Sequence, residues 1–182
     1  NLLYQVENLP ALVPIKPDYR LASVLPLSHV FEMTVGMLYP LLSGASVYYV
    51  PTRRGDDIVR VLKEQRVTHI VAVPQLLDGM RGATEQRLRQ ALSKTVFEKL
   101  LGLSSKSPMT IRRLLFRSVH ARLGGRLVVM VSGGAALSPD LQRFWELLGI
   151  RVVQGYGASE CSPVVAGGTL DGTTPYGTVG RP

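Results

Sequence analysis

The chain has 182 residues, 46% of them hydrophobic, which is enough apolar material for one sizeable core. Its single cysteine, Cys161, excludes an internal disulfide and a CxxC metal site, and no apolar run approaches the roughly 18 residues that a membrane-spanning helix needs. The net charge is +8, and residues 81–126 hold 11 Lys and Arg against two acids, so this segment carries +9 and the rest of the chain −1. A basic surface attracts nucleic acid, anionic lipid or an anionic substrate. With Phe97 and Phe116 as its only aromatics, the segment lacks the interleaved stacking residues of a nucleic-acid binder. No nucleic-acid partner is therefore expected, and the alternatives are a solvated helical face or a peripheral membrane contact.

Residues 1–17 have neither a basic n-region nor an apolar h-region, so no signal peptide is expected. A cytoplasmic location, with a peripheral place on the inner face of a membrane as its extension, fits these features. The chain opens on Asn1 and closes on Gly180-Arg181-Pro182, and both ends read as cuts through a longer protein. Leu21 to Leu25 reads as a buried strand stopped by Pro26, followed by the loop Leu27-Ser28-His29. Val30 to Leu42 is apolar on nearly all sides and reads as a buried helix ending near Pro40 and Gly44. Ala45 to Val50 is a second strand, and Asp56 or Asp57 can cap a helix with Ile58, Val61 and Leu62 on one face. Val67 to Val73 is a third strand, stopped by Pro74.

From Gln75 to Gly124 the pattern is helical and basic, broken into two pieces at residues 104–108. Leu127 to Val131 is a fourth strand, running into Ser132-Gly133-Gly134-Ala135-Ala136-Leu137. Ser138 then caps a helix with Pro139 in its first turn, and Leu141, Phe144, Trp145 and Leu148 lie on one face of it. Ile150 to Val153 is a fifth strand, after which Gly155 and Gly157 are expected to break the extended backbone. Residues 164–182 show no clear element.

Strands alternating with long helices imply an α/β fold with a mostly parallel sheet of about five strands and helices on both faces. Ligands bind such sheets beyond the carboxyl ends of the strands. The loops there are Pro26–His29, Pro74–Leu77, Ser132–Leu137 and Gly155–Glu160. The last is the most informative. Tyr156 can stack on a flat base, while the Ser159 hydroxyl and the Glu160 carboxylate suit a phosphate oxygen and a hard cation such as Mg²⁺. A Rossmann-type nucleotide turn would need glycines after the first strand. Leu25 is followed instead by Pro-Leu-Ser-His.

At this point the residues resemble a known family. Tyr156-Gly157-Ala158-Ser159-Glu160 is similar to the Tyr-Gly-x-Thr-Glu motif of adenylate-forming (AMP-binding) enzymes, with Ser in place of the usual Thr and the hydroxyl kept. Pro26-Leu27-Ser28-His29, the segment Ser132 to Leu137, and Gly177-Thr178-Val179-Gly180-Arg181-Pro182 resemble three further motifs of that family, in the right order. The long helical stretch before residue 123 most resembles the long-chain fatty acyl-CoA synthetase branch.

The resemblance implies that residues 1–182 are part of an AMP-binding (adenylation) domain with a basic helical insertion at about 75–124. It implies a parent enzyme that joins a fatty acid to CoA through an acyl-adenylate, with ATP, Mg²⁺ and CoA as its cofactors; the alternatives are a fatty acyl-AMP ligase or an aryl or acyl acid ligase, or a non-catalytic nucleotide-binding or membrane-surface module. Among matching positions, Gly133, Gly134, Ala135, Gly155, Tyr156 and Gly157 would hold the nucleotide, and Ser159 would contact phosphate. Glu160 would bind the metal, His29 would sit by the reacting carboxylate, and Gly180 would lie near the acyl chain. The family's phosphate loop and catalytic lysine match nothing in the chain. The piece alone is therefore expected to be inactive, and its exposed apolar surface to favour self-association.

Overall fold

Apolar, β-branched runs in the middle of the chain form a sheet of six strands, described with its helices for residues 1–52 and 54–180 of a computed structural model. The strands are β1 (Arg20–Ser23), β2 (Ser46–Tyr49), β3 (His69–Ala72), β4 (Val129–Ser132), β5 (Arg151–Gly157) and β6 (Val164–Gly167). Their order is β2-β1-β3-β4-β5-β6. The first five are parallel, with registers such as Ala22↔Ile70, Ile70↔Met130 and Met130↔Val152. The fold class expected from the sequence is the one observed, with one strand more.

The sheet is apolar on both sides because both sides are covered. On one side Ala22, Ile70, Ala72, Met130 and Val152 pack beneath helices α3 (Gly55–Glu64), α4 (Pro74–Ala91), α5 (Lys94–Ser105), α7 (Arg117–Arg122) and α8 (Pro139–Leu147). Helix α6 (Met109–Leu115) joins α5 to α7. Trp145 is fully buried there, its indole N–H donating to the Leu77 carbonyl at 3.3 Å. On the other side Val71, Val129, Val131 and Val153 meet Leu9, Val13, Phe31, Val35 and Tyr39. These come from the stretch after α1 (Leu2–Asn8) and from the helix that follows β1. The Ser138 hydroxyl accepts from the Leu141 amide and caps α8, as its sequence implies.

Four expectations are corrected. The helix after β1 is wound as a π-helix over Glu32–Leu38 before becoming regular in α2 (Tyr39–Leu42). Pro40 has no N–H to offer the ladder, and the Tyr39 amide reaches back five residues to Thr34. The basic stretch is four helices rather than two pieces. Ser93 stops α4 and caps α5 through its hydroxyl, and Phe116 interrupts the line between α6 and α7.

The glycines of the 155–157 motif do not end β5, which runs through to Gly157. They let β6 cross it antiparallel, with Gly155↔Gly167 and Gly157↔Val164. A Cβ on Gly157 would lie 1.6 Å from the Pro163 carbonyl oxygen, so only glycine permits this approach. For the same reason residues 164–182 do contain an element, the sixth strand.

Candidate functional site

The loops beyond β1, β4 and β5 converge on a cleft of about 180 Å³. Its walls include His29, Val30 and Phe31 from the first loop, Gly133 and Gly134 from the second, and Gly155 to Ser159 from the end of β5 and the turn after it. Residues up to 130 positions apart in sequence thus share one concavity because parallel strands deliver their loops to the same end of the sheet. The fourth loop expected there does not take part. Pro74 opens α4 directly, and Leu77 is buried in the core.

Each wall has a structural reason. The Phe31 ring covers Gly133, whose missing Cβ would lie 2.6 Å from Phe31 Cζ. Gly134 has φ +79°, a conformation that glycine adopts without strain. Tyr156 is 57% exposed, so one ring face is free to stack. His29 is held by its own turn: its amide donates to the Pro26 carbonyl, and Nδ1 accepts from the Phe31 amide at 3.3 Å. With Nδ1 acting as acceptor, the neutral ring carries its proton on Nε2.

Two expected site residues stand apart. Ala135 is exposed and lies outside the walls of the cleft. Glu160 lies in a single 3₁₀ turn, Ser159–Cys161, at the rim; it is exposed and has no ion pair among the described residues. Among those residues no three His, Cys, Asp or Glu side chains gather as a ready metal cage. A single free carboxylate still fits Mg²⁺, which commonly takes one or two carboxylates together with substrate phosphates. Gly180 (φ +79°) sits against the Gly167 carbonyl, while Arg181 and Pro182 of the same motif lie outside the described residues.

Three buried polar groups near these strand ends were not singled out from the sequence. Ser132 and Gln154 are paired in register, and the Ser132 hydroxyl and Gln154 Oε1 have no hydrogen-bond partner. Gln154 opens on a polar cavity of about 230 Å³ that Glu146 and Arg151 also line. A polar side chain ending the run Val152-Val153 was the available signal. The third is Glu32, directly after the cleft residue Phe31 and fully buried. Burial pushes its carboxyl up to about 7, only partly offset by the nearby Ser23 hydroxyl and Val24 backbone; neither oxygen has a well-formed hydrogen bond. Gly36 makes room for it, since a Cβ there would lie 2.5 Å from Glu32 Oε1.

Beside the cleft, and sharing Phe31, Gly155 and Val164 with it, lies a narrow apolar cavity. Leu9, Val13, Val35, Val71 and Val131 are among its walls. A parallel α/β sheet, a glycine-lined cleft at its carboxyl edge, an exposed tyrosine and an exposed hydroxyl–carboxylate pair make a site whose chemistry suits a nucleotide.

The family follows from comparison with known proteins. The model of the AMP-binding enzyme family matches residues 1–182, and the chain belongs to that family. It is 32% identical over 173 residues to the peroxisomal long chain acyl-CoA synthetase 6 of Arabidopsis thaliana, covering 88% of this chain and 24% of that protein. It is 33% identical over 181 residues to long-chain-fatty-acid–CoA ligase 1 of Homo sapiens, covering 91% of this chain and 25% of that one. The chain therefore spans about a quarter of the length of these relatives. Among solved structures it is similar to ATP-bound MatB from Rhodopseudomonas palustris, with a TM-score of 0.69 and 21% identity over 98% of this chain and 29% of that one, a likeness of fold.

Proposed function

We propose that residues 1–182 form the adenylate-holding part of an ATP-dependent long-chain fatty acid–CoA ligase. In the first half-reaction a carboxylate oxygen attacks the α-phosphorus of ATP; the bond to pyrophosphate breaks and an acyl-adenylate forms. In the second the CoA thiolate attacks the acyl carbon and AMP leaves. The observation that supports the reading is the glycine-lined cleft of about 180 Å³ at the carboxyl edge of the sheet, in a chain 32% and 33% identical to a long chain acyl-CoA synthetase and a long-chain-fatty-acid–CoA ligase. The same likeness favours a long-chain acid over the aryl acids of other family members.

In this reading Tyr156 stacks on adenine, and the backbones of Gly133, Gly134, Gly155 and Gly157 follow the nucleotide. Ser159 donates to a phosphate oxygen. The Nε2–H of His29 faces the reacting carboxylate. Glu160 is the residue that would hold Mg²⁺, which when bound offsets the negative charge developing on the α-phosphate. Positioning supplies much of the rate of such a reaction, and no glycine-rich phosphate loop with its lysine lies within residues 1–182. This piece by itself therefore does not catalyse adenylation.

The test is fatty-acid-dependent exchange of labelled pyrophosphate into ATP by the full-length protein. Glu160 is exposed, so Glu160→Gln leaves stability within about 0.5 kcal/mol. It should slow exchange tenfold or more at limiting Mg²⁺, as loss of a charge-stabilising group does. Unchanged exchange at limiting Mg²⁺ removes Glu160 from the metal site. Exchange supported by benzoate but by no acid of 12 to 18 carbons (roughly the span that "long-chain" covers) rejects the substrate class.

A further inference from the structure

The eleven cations of residues 81–126 do not all act as free charge. Arg112 donates to the Ser107 and Glu146 carbonyls, and Arg113 to the Leu127, Gly149 and Gly125 carbonyls. Arg81 and Arg89 pair with Glu85 and lie over Phe144 and Phe97, and Arg126 pairs with Asp18. These five are tied to the fold. The other six, Arg87, Lys94, Lys99, Lys106, Arg117 and Arg122, are exposed and have no ion pair among the described residues. The three lysines belong to α5 or its C-terminal cap.

The outer side of α5 is unusual in a second way. Val96 and Leu103 are 44% and 55% exposed there, and on α6, which packs against α5, Ile111 and Leu114 are 41% and 65% exposed. Residues 96, 99, 103 and 106 are spaced three, four and three apart, so two apolar side chains and two lysines share one stripe of the helix. Single exposed apolar residues need no explanation, whereas four on two packed helices, interleaved with unpaired lysines, do. Long lysine stems lie along apolar surface while the ammonium stays in the headgroup layer.

We infer that the α5–α6 face docks the protein on an anionic lipid bilayer, with Leu103 and Leu114 entering the interface and Lys99 and Lys106 meeting the headgroups. Charge complementarity selects the bilayer over an apolar protein partner, because the stripe carries two lysines and no acid, the one acid of α5, Glu98, lying to one side of it, and such a stripe matches an anionic leaflet. This surface is independent of the nucleotide cleft and does not rest on the substrate assigned above. No helix among the described residues is long and apolar enough to cross a membrane, so the contact is interfacial.

The experiment is co-sedimentation of the full-length protein with neutral phosphatidylcholine vesicles and with vesicles containing phosphatidylglycerol, without ATP or fatty acid. Each lysine is worth roughly a fivefold change in partition to an anionic surface. Lys99→Gln with Lys106→Gln should lower binding to anionic vesicles about 25-fold, leaving urea unfolding unchanged. Leu103→Ser with Leu114→Ser should weaken binding to both vesicle types. Equal binding to both vesicle types by wild type, or no loss in the double lysine variant, overturns the proposal. A changed oligomeric state in the leucine variant also overturns it, because the face would then be a protein interface.

Discussion

Gly133→Ala tests whether the cleft is built as described. A Cβ at residue 133 would lie 2.6 Å from Phe31 Cζ and 3.0 and 3.1 Å from its Cε atoms. Ordinary carbon contacts are about 3.5–4.0 Å, so the ring must retreat by about 1 Å. Phe31 also lines the cleft beside His29, and its retreat shifts the wall next to the residue assigned above to the reacting carboxylate. Overpacking of this size costs about 1–3 kcal/mol, and a misplacement of about 1 Å at a reacting centre costs up to about 100-fold in rate. The assays are urea unfolding and pyrophosphate exchange at varied fatty acid, on the full-length protein. The expected result is lower stability and a raised KM for the acid, with the KM for ATP changed less. Adding Phe31→Leu removes the ring atoms in conflict and should recover at least about 1 kcal/mol by coupling. If the two changes add within about 0.5 kcal/mol, the Phe31–Gly133 contact is not the cause and the description of this wall is wrong.

Arg113→Met should destabilise the protein by about 2–3 kcal/mol, because the Leu127, Gly149 and Gly125 carbonyls lose a charged donor. Arg113→Lys should recover only part of this in urea unfolding, since a compact ammonium cannot span three acceptors. Two buried groups should oppose each other in the pH dependence of stability. Glu32, raised from 4.5 to about 7, favours the fold below 4.5 and loses that contribution as pH rises to about 7. His69, lowered by burial from 6.5 to about 4, favours the fold above 6.5 and loses that contribution as pH falls to about 4. Each effect is on the order of 3 kcal/mol, so they largely cancel between those limits. Glu32→Gln should uncover stability that rises with pH, and His69→Phe stability that falls with it. Two flat profiles would show that neither group keeps its buried protonation state.

Elements whose signal is local were legible in the sequence. Ser138, Pro139 and the Leu141–Phe144–Trp145–Leu148 face mark α8 without reference to the rest of the chain, and the apolar run around Ile70 marks β3. Elements made by distant partners were not. Val164–Gly167 is a strand only because Gly157 lets it approach β5, and neither stretch reveals that approach alone. Helix α1 has no side-chain cap and no buried residue, so no pattern marks it. Tyr156 and Ser159 could be named from the chemistry of their own motif, His29, Gly133 and Gly134 from the family motifs they resemble, and the sheet order then gathers them. Gln154 and Glu32 could not, because their distinguishing property is burial without a partner, which composition does not carry. Charge counting likewise overstated the free basic surface, since Arg112 and Arg113 are spent on backbone carbonyls.

The most direct test of the account is the affinity of the full-length protein for a non-hydrolysable acyl-adenylate mimic, an acyl sulfamoyl adenosine, measured by calorimetry for wild type and for Tyr156→Ala. Tyr156 is exposed, so the change should not disturb folding, and stacking of a base on an aromatic ring is worth about 1–3 kcal/mol. The account predicts a loss of affinity between about fivefold and 150-fold, with saturated binding of one mimic per chain retained. Equal affinity in the two proteins would contradict it and place the nucleotide outside this cleft.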